Sequence, residues 1–241
     1  MAAGADEMME WNKAAFVLDL SYWAHKAWHA VPATVTGPTG EPVNMVHGVA
    51  NMLVRLLADR DPAWLVAAAD APGPNWRHAL YPAYKAARVP HTADFDRQLG
   101  EVARLLELHR VPVIGAAGFE GDDVIATLVR RFTACGVPVV IVTADKDLRQ
   151  VVRDEAPGVV LWDGKDRVIG PAAVRAEWGI EPRDVGDFLA LVGDEHDGVP
   201  GVPGIGPVTA AKILVRAGSL AEVIRKSSWW RPEKIGRELR A

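Results

Sequence analysis

Val137-Pro138-Val139-Val140-Ile141-Val142-Thr143-Ala144-Asp145-Lys146-Asp147 is the most strand-like run in the chain. A short, unbroken apolar stretch rich in β-branched residues suits a strand buried on both faces, as in a parallel sheet. It opens directly into two aspartates. Two earlier runs repeat the pattern: residues 14–18 end in Asp19, and residues 64–69 end in Asp70. Residues 111–114 read as one more strand. Between these runs, residues 44–59, 95–110 and 122–134 carry apolar side chains at helical spacing. Strands alternating with such helices predict an α/β fold, with a mainly parallel sheet flanked by helices on both faces. In that architecture ligands bind outside the carboxyl ends of the strands. Asp19, Asp70, Asp145 and Asp147 all fall at or near that edge, and Gly118-Phe119-Glu120-Gly121-Asp122-Asp123 adds three more carboxylates at a helix start.

Any one of these acids could be a helix cap or a salt-bridge partner, because unpaired N–H groups in a first helical turn favour negative charge. All of them together at strand ends are another matter. Like charges a few ångströms apart raise one another's pKa and resist joint ionisation, and divalent cations remove the problem. All-oxygen ligation selects hard ions, Mg²⁺ or Mn²⁺, over zinc. Two such ions about 3.5–4 Å apart form the arrangement that clamps both oxygens of a phosphodiester displacement.

Composition agrees with this class. A chain of 241 residues, 49% hydrophobic and 24% charged, can bury one large core, or one core with a small appended domain. No segment approaches the roughly 20 apolar residues of a membrane span, and Asp6, Glu7 and Glu10 give the N-terminus the wrong charge for a signal sequence. The expectation is a cytoplasmic protein with no membrane partner. The lone Cys135 excludes an internal disulfide and a thiolate metal cage. A net charge of −4 argues against indiscriminate binding to polyanions. If a metal pocket neutralises many of the acids, however, the remaining surface is more basic than the sum.

Two further stretches carry chemistry. Between Asp70 and Asp94, basic and aromatic residues alternate: Trp76, Arg77, His78, Tyr81, Tyr84, Lys85 and Arg88. Pro82 suits the first turn of a helix, so Tyr84, Lys85 and Arg88 are expected on one short helix, with cations to neutralise phosphates and rings to stack on unpaired bases. Downstream of Gly164 the strand pattern fades and residues 171–178 and 182–192 read as helices. A hairpin follows, from Gly193, Asp194 and Asp197 to Pro200-Gly201-Val202-Pro203-Gly204-Ile205-Gly206-Pro207. Gly204-Ile205-Gly206 ahead of a proline-led helix exposes backbone N–H groups to an anion, without the spacing of a dinucleotide fingerprint.

Jointly these motifs resemble the 5′-nuclease (flap endonuclease) family, including the 5′-3′ exonuclease part of bacterial DNA polymerase I and stand-alone bacterial and phage exonucleases. The resemblance spans about residues 14–226. It implies a PIN-like catalytic domain at 1–178 with a helical arch near 71–98, and a helix-three-turn-helix duplex-binding domain at 179–241. It also implies a ligand set: Asp19, Asp70, Glu120 and Asp122 for one Mg²⁺, and Asp123, Asp145, Asp147 and Asp197 for a second, with Asp194 acting through water and Mn²⁺ able to substitute. By the same resemblance Lys85 and Arg77 would act on the scissile phosphate, and Lys26, Tyr81, Tyr84, Arg88, Gly204, Ile205, Gly206, Thr209 and Lys212 would contact DNA. Carbonyls near Pro200, Val202 and Ile205 would hold K⁺. Three positions depart from the family pattern: Leu20 where glycine is usual, Lys26 for arginine, and Gly198 for asparagine.

The implied activity is structure-selective cleavage of DNA at a 5′ flap, nick or 5′ end, with an RNA primer in an RNA-DNA hybrid as a further partner, by a monomer free of a polymerase. Two alternatives share parts of the pattern. A PIN-type ribonuclease would share the strand-end acids, although the Gly201–Lys212 hairpin and the basic arch argue against it. A catalytically silent junction-binding protein would be expected to lack some of the acids.

Overall fold

The structure, a computed structural model, describes residues 11–226, so the readings of the acidic N-terminus and of the last part of the 179–241 unit lie outside the described residues. Strand β1 (Ala15–Asp19) runs straight into helix α1 (Leu20–Ala30), followed by α2 (Asn44–Arg60), β2 (Trp64–Ala68), the short α3 (Trp76–Leu80) and α4 (Ala93–Leu108). Then come β3 (Val113–Ile114), α5 (Gly121–Ala134), β4 (Val139–Val142), β5 (Val159–Trp162), β6 (Val168–Ile169), α6 (Pro171–Trp178) and α7 (Val185–Val192). A two-residue hairpin, β7 (Gly193–Asp194) with β8 (Val199–Pro200), leads into α8 (Pro207–Ala217) and α9 (Leu220–Arg225).

The sheet order is β3-β2-β1-β4-β5-β6. Every pairing is parallel except β5 with β6. All of β1 is buried because it packs on both faces. Phe16 and Leu18 point into the core shared with α1, α2 and α4, and Val17 points into the core shared with α5, α7 and α8. The chain builds outward from β1 on one side as far as β3 and then returns to add β4 on the other, which makes the β1–β4 gap the switch point of the sheet. Among the described residues, no helix is long and apolar enough to cross a membrane.

The mainly parallel sheet agrees with the sequence reading; two details do not. Strands β5 and β6 extend the sheet beyond Val142, where the sequence reading placed no strand. Residues 82–87 form successive turns rather than a helix, so Tyr84, Lys85 and Arg88 do not share a helical face. Pro82 follows the end of α3 instead of starting a helix, and Lys85 sits in the left-handed region with φ 54°, which a continuing helix cannot accommodate.

Hairpin β7–β8 is held by a close backbone approach. A Cβ at Gly201 would lie 2.1 Å from the Val192 carbonyl oxygen. Gly201→Ala is therefore expected to lower stability by about 1–3 kcal/mol through overpacking against backbone. Gly100, exposed within α4 with open space around it, should instead gain roughly 0.5–1 kcal/mol on replacement by Ala. Denaturant melts of the two variants, read by circular dichroism, should move in opposite directions.

Candidate functional site

Asp19 ends β1 and begins α1, which is why a buried carboxylate can sit there: its Oδ1 accepts from the Tyr22 amide (3.0 Å) and caps the helix. The Thr143 hydroxyl, at the end of β4, donates to its other oxygen (2.7 Å). On the neighbouring strand, Asp70 accepts from the Ser21 hydroxyl (2.5 Å) and from the Gly121 amide at the N-terminus of α5 (2.6 Å). Asp145 folds its own turn, accepting from the Asp147 amide (2.8 Å) while its amide donates to Thr143 Oγ1 (3.1 Å).

Burial and crowding then act together. Burial, with repulsion from Asp145, Asp19, Asp147 and Asp70, pushes Asp122 up to about 8. Burial also raises Asp19 to about 6, against the hydrogen bonds from Tyr22 and Thr143 and with help from Asp145 and Asp70. Asp147 is raised to about 6 by burial and by Asp145, with Lys146 opposing. Its Oδ1 is buried and has no hydrogen-bond partner. Asp147, Asp194 and Asp197 each offer an oxygen within 4.8 Å of the others. The fold thus gathers Asp19, Asp70, Asp122, Asp145 and Asp147 at the sheet edge and brings Asp194 and Asp197 to them on the β7–β8 loop.

Opposite this group lies a basic and aromatic wall. Tyr84 is buried, with its hydroxyl 2.8 Å from Glu120 Oε2 and 3.1 Å from Asp197 Oδ2, and burial with these carboxylates drives its phenol upward. Lys85 Nζ donates to Glu120 Oε1 (2.7 Å), and Arg88 pairs with Asp197 (2.7 Å). Asp123 is tied to the wall: Arg77 grips it with two hydrogen bonds of 2.7 and 2.9 Å, and it accepts from the Glu120 amide (3.0 Å). Burial works to raise Asp123, but the Arg77 hydrogen bonds outweigh it and hold the carboxyl below its ordinary value. Lys146 donates to Asp194. A cleft of about 520 Å³ lies between wall and acids, lined by Arg77, Tyr84, Glu120, Asp122, Asp147 and Asp197 among others.

The remaining expected contacts are dispersed. Lys26 is turned to the loop after β5, donating to the Asp163 carbonyl (2.6 Å) and to Tyr22 (2.9 Å). Tyr81 reaches the Gly198 carbonyl (3.3 Å). Gly206 caps α8, ahead of Thr209 and Lys212 on the same helix. Gly204 is exposed, Ile205 is a core residue, and the Val202 carbonyl accepts from the Ile205 amide (3.0 Å). Sequence reasoning gave no role to Ser21, Asn75 or Thr143, which orient Asp70, Glu120 and Asp19. Ser21 and Thr143 offered one signal, a short polar side chain within two residues of a strand-end acid.

Residues 14–179 match the model of the 5′-3′ exonuclease N-terminal resolvase-like domain, and residues 180–241 that of the 5′-3′ exonuclease C-terminal SAM fold. A 5′-3′ exonuclease of Streptomyces coelicolor is 40% identical over 224 residues, covering 86% of this chain and 73% of the relative. A thermostable DNA polymerase I of Thermus filiformis is 35% identical over 98% of this chain, which spans only 28% of that relative. The fold is like that of the bacteriophage T5 D15 flap endonuclease, solved with DNA and metal ions: TM-score 0.76 and 18% identity, over 94% of this chain and 83% of the other.

The raised acids set a pH dependence. Their folded-state values lie above the ordinary 3.8, so the stability they contribute is complete below that value and is lost as pH rises through about 6 to 8. In EDTA, Tm should therefore fall between pH 5 and pH 8, and less so in Asp122→Asn, which removes the most raised group. A Tm with no such slope in the wild type, or the same slope in the variant, would contradict the crowding.

Proposed function

The chain belongs to the 5′-3′ exonuclease family, and from that premise we propose that it is a structure-selective 5′ nuclease that hydrolyses DNA phosphodiesters near single-strand/duplex junctions with two divalent ions. The observation that carries the reading is the gathering of acids at the switch point of the sheet, with Asp122 and Asp147 across one cleft from Arg77 and Tyr84. The donor set suits hard cations: it is all carboxylate, burial and crowding hold Asp122 at about 8, and Asp147 Oδ1 is buried without a hydrogen-bond partner. Asp19, Asp70, Glu120 and Asp122 would hold one Mg²⁺. Asp145, Asp147 and Asp197 would hold the other, with Asp194 beyond them and Asp123 joining on release from Arg77. Bound ions supply charge that stabilises the attacking and leaving oxygens of an in-line displacement.

The chain's own residues do the rest. Thr143, Ser21 and the Gly121 amide fix the acids so that little reorganisation accompanies the reaction. Lys85 and Arg77 project from the arch over the acids, where they can meet the phosphate carried by the strand. Released from Glu120 and Asp197, Tyr84 would present its ring to a displaced base, with Arg88 and Tyr81 along the strand. Residues 179–241 form the duplex-binding part, with backbone N–H groups at Gly204, Ile205 and Gly206 and side chains of Thr209 and Lys212 toward phosphates. Carbonyls of Pro200, Val202 and Ile205 would hold K⁺ in the same loop. Supporting this reading, both family models match end to end, and the T5 protein of like fold was solved with DNA and metal ions.

A 5′-flap and a nicked duplex, labelled at both ends, test the reading. Short 5′-terminal products are expected with Mg²⁺ and none with EDTA; intact substrate in both would refute it. Asp122→Asn and Asp147→Asn should each abolish cleavage while keeping junction affinity, since the phosphate contacts lie elsewhere. Lys85→Ala should slow single-turnover cleavage by roughly a hundredfold to a thousandfold, by analogy with loss of one transition-state donor, at nearly unchanged affinity. Arg88→Ala should instead weaken binding and flatten its salt dependence, as measured in Ca²⁺.

A further inference from the structure

The cleft that holds Asp122 and Asp147 does not end with its acids. Three stretches of chain each bring an acid to it and, four residues away, an apolar side chain as well. Asp122 is followed by Ala126 on α5, and Asp147 by Val151 on the helical turn Asp147–Val151. Asp194 is preceded by Ala190, with Leu189 beside it, at the end of α7. Four residues of helix span about 6–8 Å, so these apolar groups lie within the reach of one nucleotide from the acids. The same cleft is lined from α3 by Trp76 and Leu80, the first and last residues of that helix and, at a spacing of four, on one side of it.

Trp76 is 44% exposed and Leu80 75%. Large apolar side chains scattered singly over a surface are ordinary, but these two join four others in one concave surface beside a charged site. A mostly apolar lining with a few polar groups at one side is the make-up of a ligand pocket, and the cleft's volume of about 520 Å³ is of ligand size. Trp76 is also held in place. Its amide donates to the Gly118 carbonyl (3.2 Å), its indole Nε1 donates to Asp123 Oδ2 (3.4 Å), and the Arg77 guanidinium lies 4.6 Å from its ring centroid. A ring fixed in this way loses little further freedom when a flat partner stacks on it.

An occupant of this cleft has to bring negative charge to the metal-binding acids and Arg77, and a flat apolar body to the rest. A nucleotide has both. Resting on the nuclease reading, we propose that the apolar part of the cleft is a base pocket, in which Trp76 stacks on the unpaired base of a nucleotide next to the scissile phosphate while Leu80, Val151 and Leu189 keep water from it. Every base has a π-face, so such a pocket reads whether a base is unpaired and not which base it is. Trp76 thereby becomes a substrate-binding residue that selects the structure of the DNA.

The test uses the full chain and a 5′-flap duplex, either intact or with one abasic residue on one or the other side of the scissile bond. Affinity is measured in Ca²⁺, which needs no cleavage, and single-turnover rate in Mg²⁺. With the wild type, an abasic residue at the pocket position should lower affinity or rate by roughly fivefold to a hundredfold, the range for loss of one base–aromatic stack. Trp76→Ala should lose a similar factor on the intact flap and nothing further on that abasic one. Trp76→Phe, which keeps a ring but not the bond to Asp123, should retain most of the wild-type value. Equal losses in the Phe and Ala variants would assign the effect to that hydrogen bond and overturn the proposal. So would a wild type indifferent to both abasic residues, or a Trp76→Ala loss that is undiminished on both abasic flaps. A wild type that binds the flap but cleaves nothing refutes the nuclease reading alone, and the affinity comparison still decides the pocket; neither binding nor cleavage removes both.

Discussion

Mutual repulsion among buried carboxylates is the constraint on which the rest of the structure depends. Asp122, Asp19 and Asp147 all titrate well above an ordinary carboxylate because each is withdrawn from water beside the others. Such a group of charges is tolerated only where a rigid frame holds it. That frame is the central strand β1, buried on both faces between β2 and β4, with helix α1 starting from its last residue. The hydrogen bonds of Asp19 and Asp70 to Thr143, Tyr22, Ser21 and Gly121 tie the acids to the end of β4 and to the starts of α1 and α5.

The opposing wall answers that charge with its own. Lys85 on Glu120, Arg77 on Asp123, Arg88 on Asp197 and Lys146 on Asp194 place cations around the rim, while the deepest acids, Asp19 and Asp122, form no ion pair among the described residues. The turns at residues 82–87 are stitched to the hairpin as well: the Lys85 amide donates to the Asp197 carbonyl (2.8 Å), and a Cβ at Gly198 would lie 3.1 Å from the Ala83 carbonyl. With φ 69° and that neighbour, position 198 favours glycine here, which gives its departure from the family pattern a local cause.

Much of this was legible in the sequence because β1, β2 and β4 declare themselves as apolar runs that lead into acids. The sheet, its mainly parallel sense and the edge carrying the acids followed from that pattern. The turns at residues 82–87 did not, because Tyr84 and Lys85 take their positions from tertiary partners, Glu120 and Asp197, that helical spacing cannot foresee. Strand β6 was hidden by its brevity, and Asp123 by its neighbours: three acids in a row of four look alike until Arg77 claims one of them. The apolar part of the cleft left no sequence signal, since its lining residues are scattered from α3 to α7.

The pairing of β1 with β4 also orders events in time. Ala15 lies opposite Val139, so the central strand waits for more than half of the chain before its second neighbour exists. Contacts of such long sequence separation form slowly, because the intervening chain must close first. A polypeptide emerging from its N-terminus would hold Asp19 and Asp70 long before Thr143, Asp145 and Asp147 could join them. Any chemistry that needs the whole set of acids is therefore withheld from truncated and half-made chains.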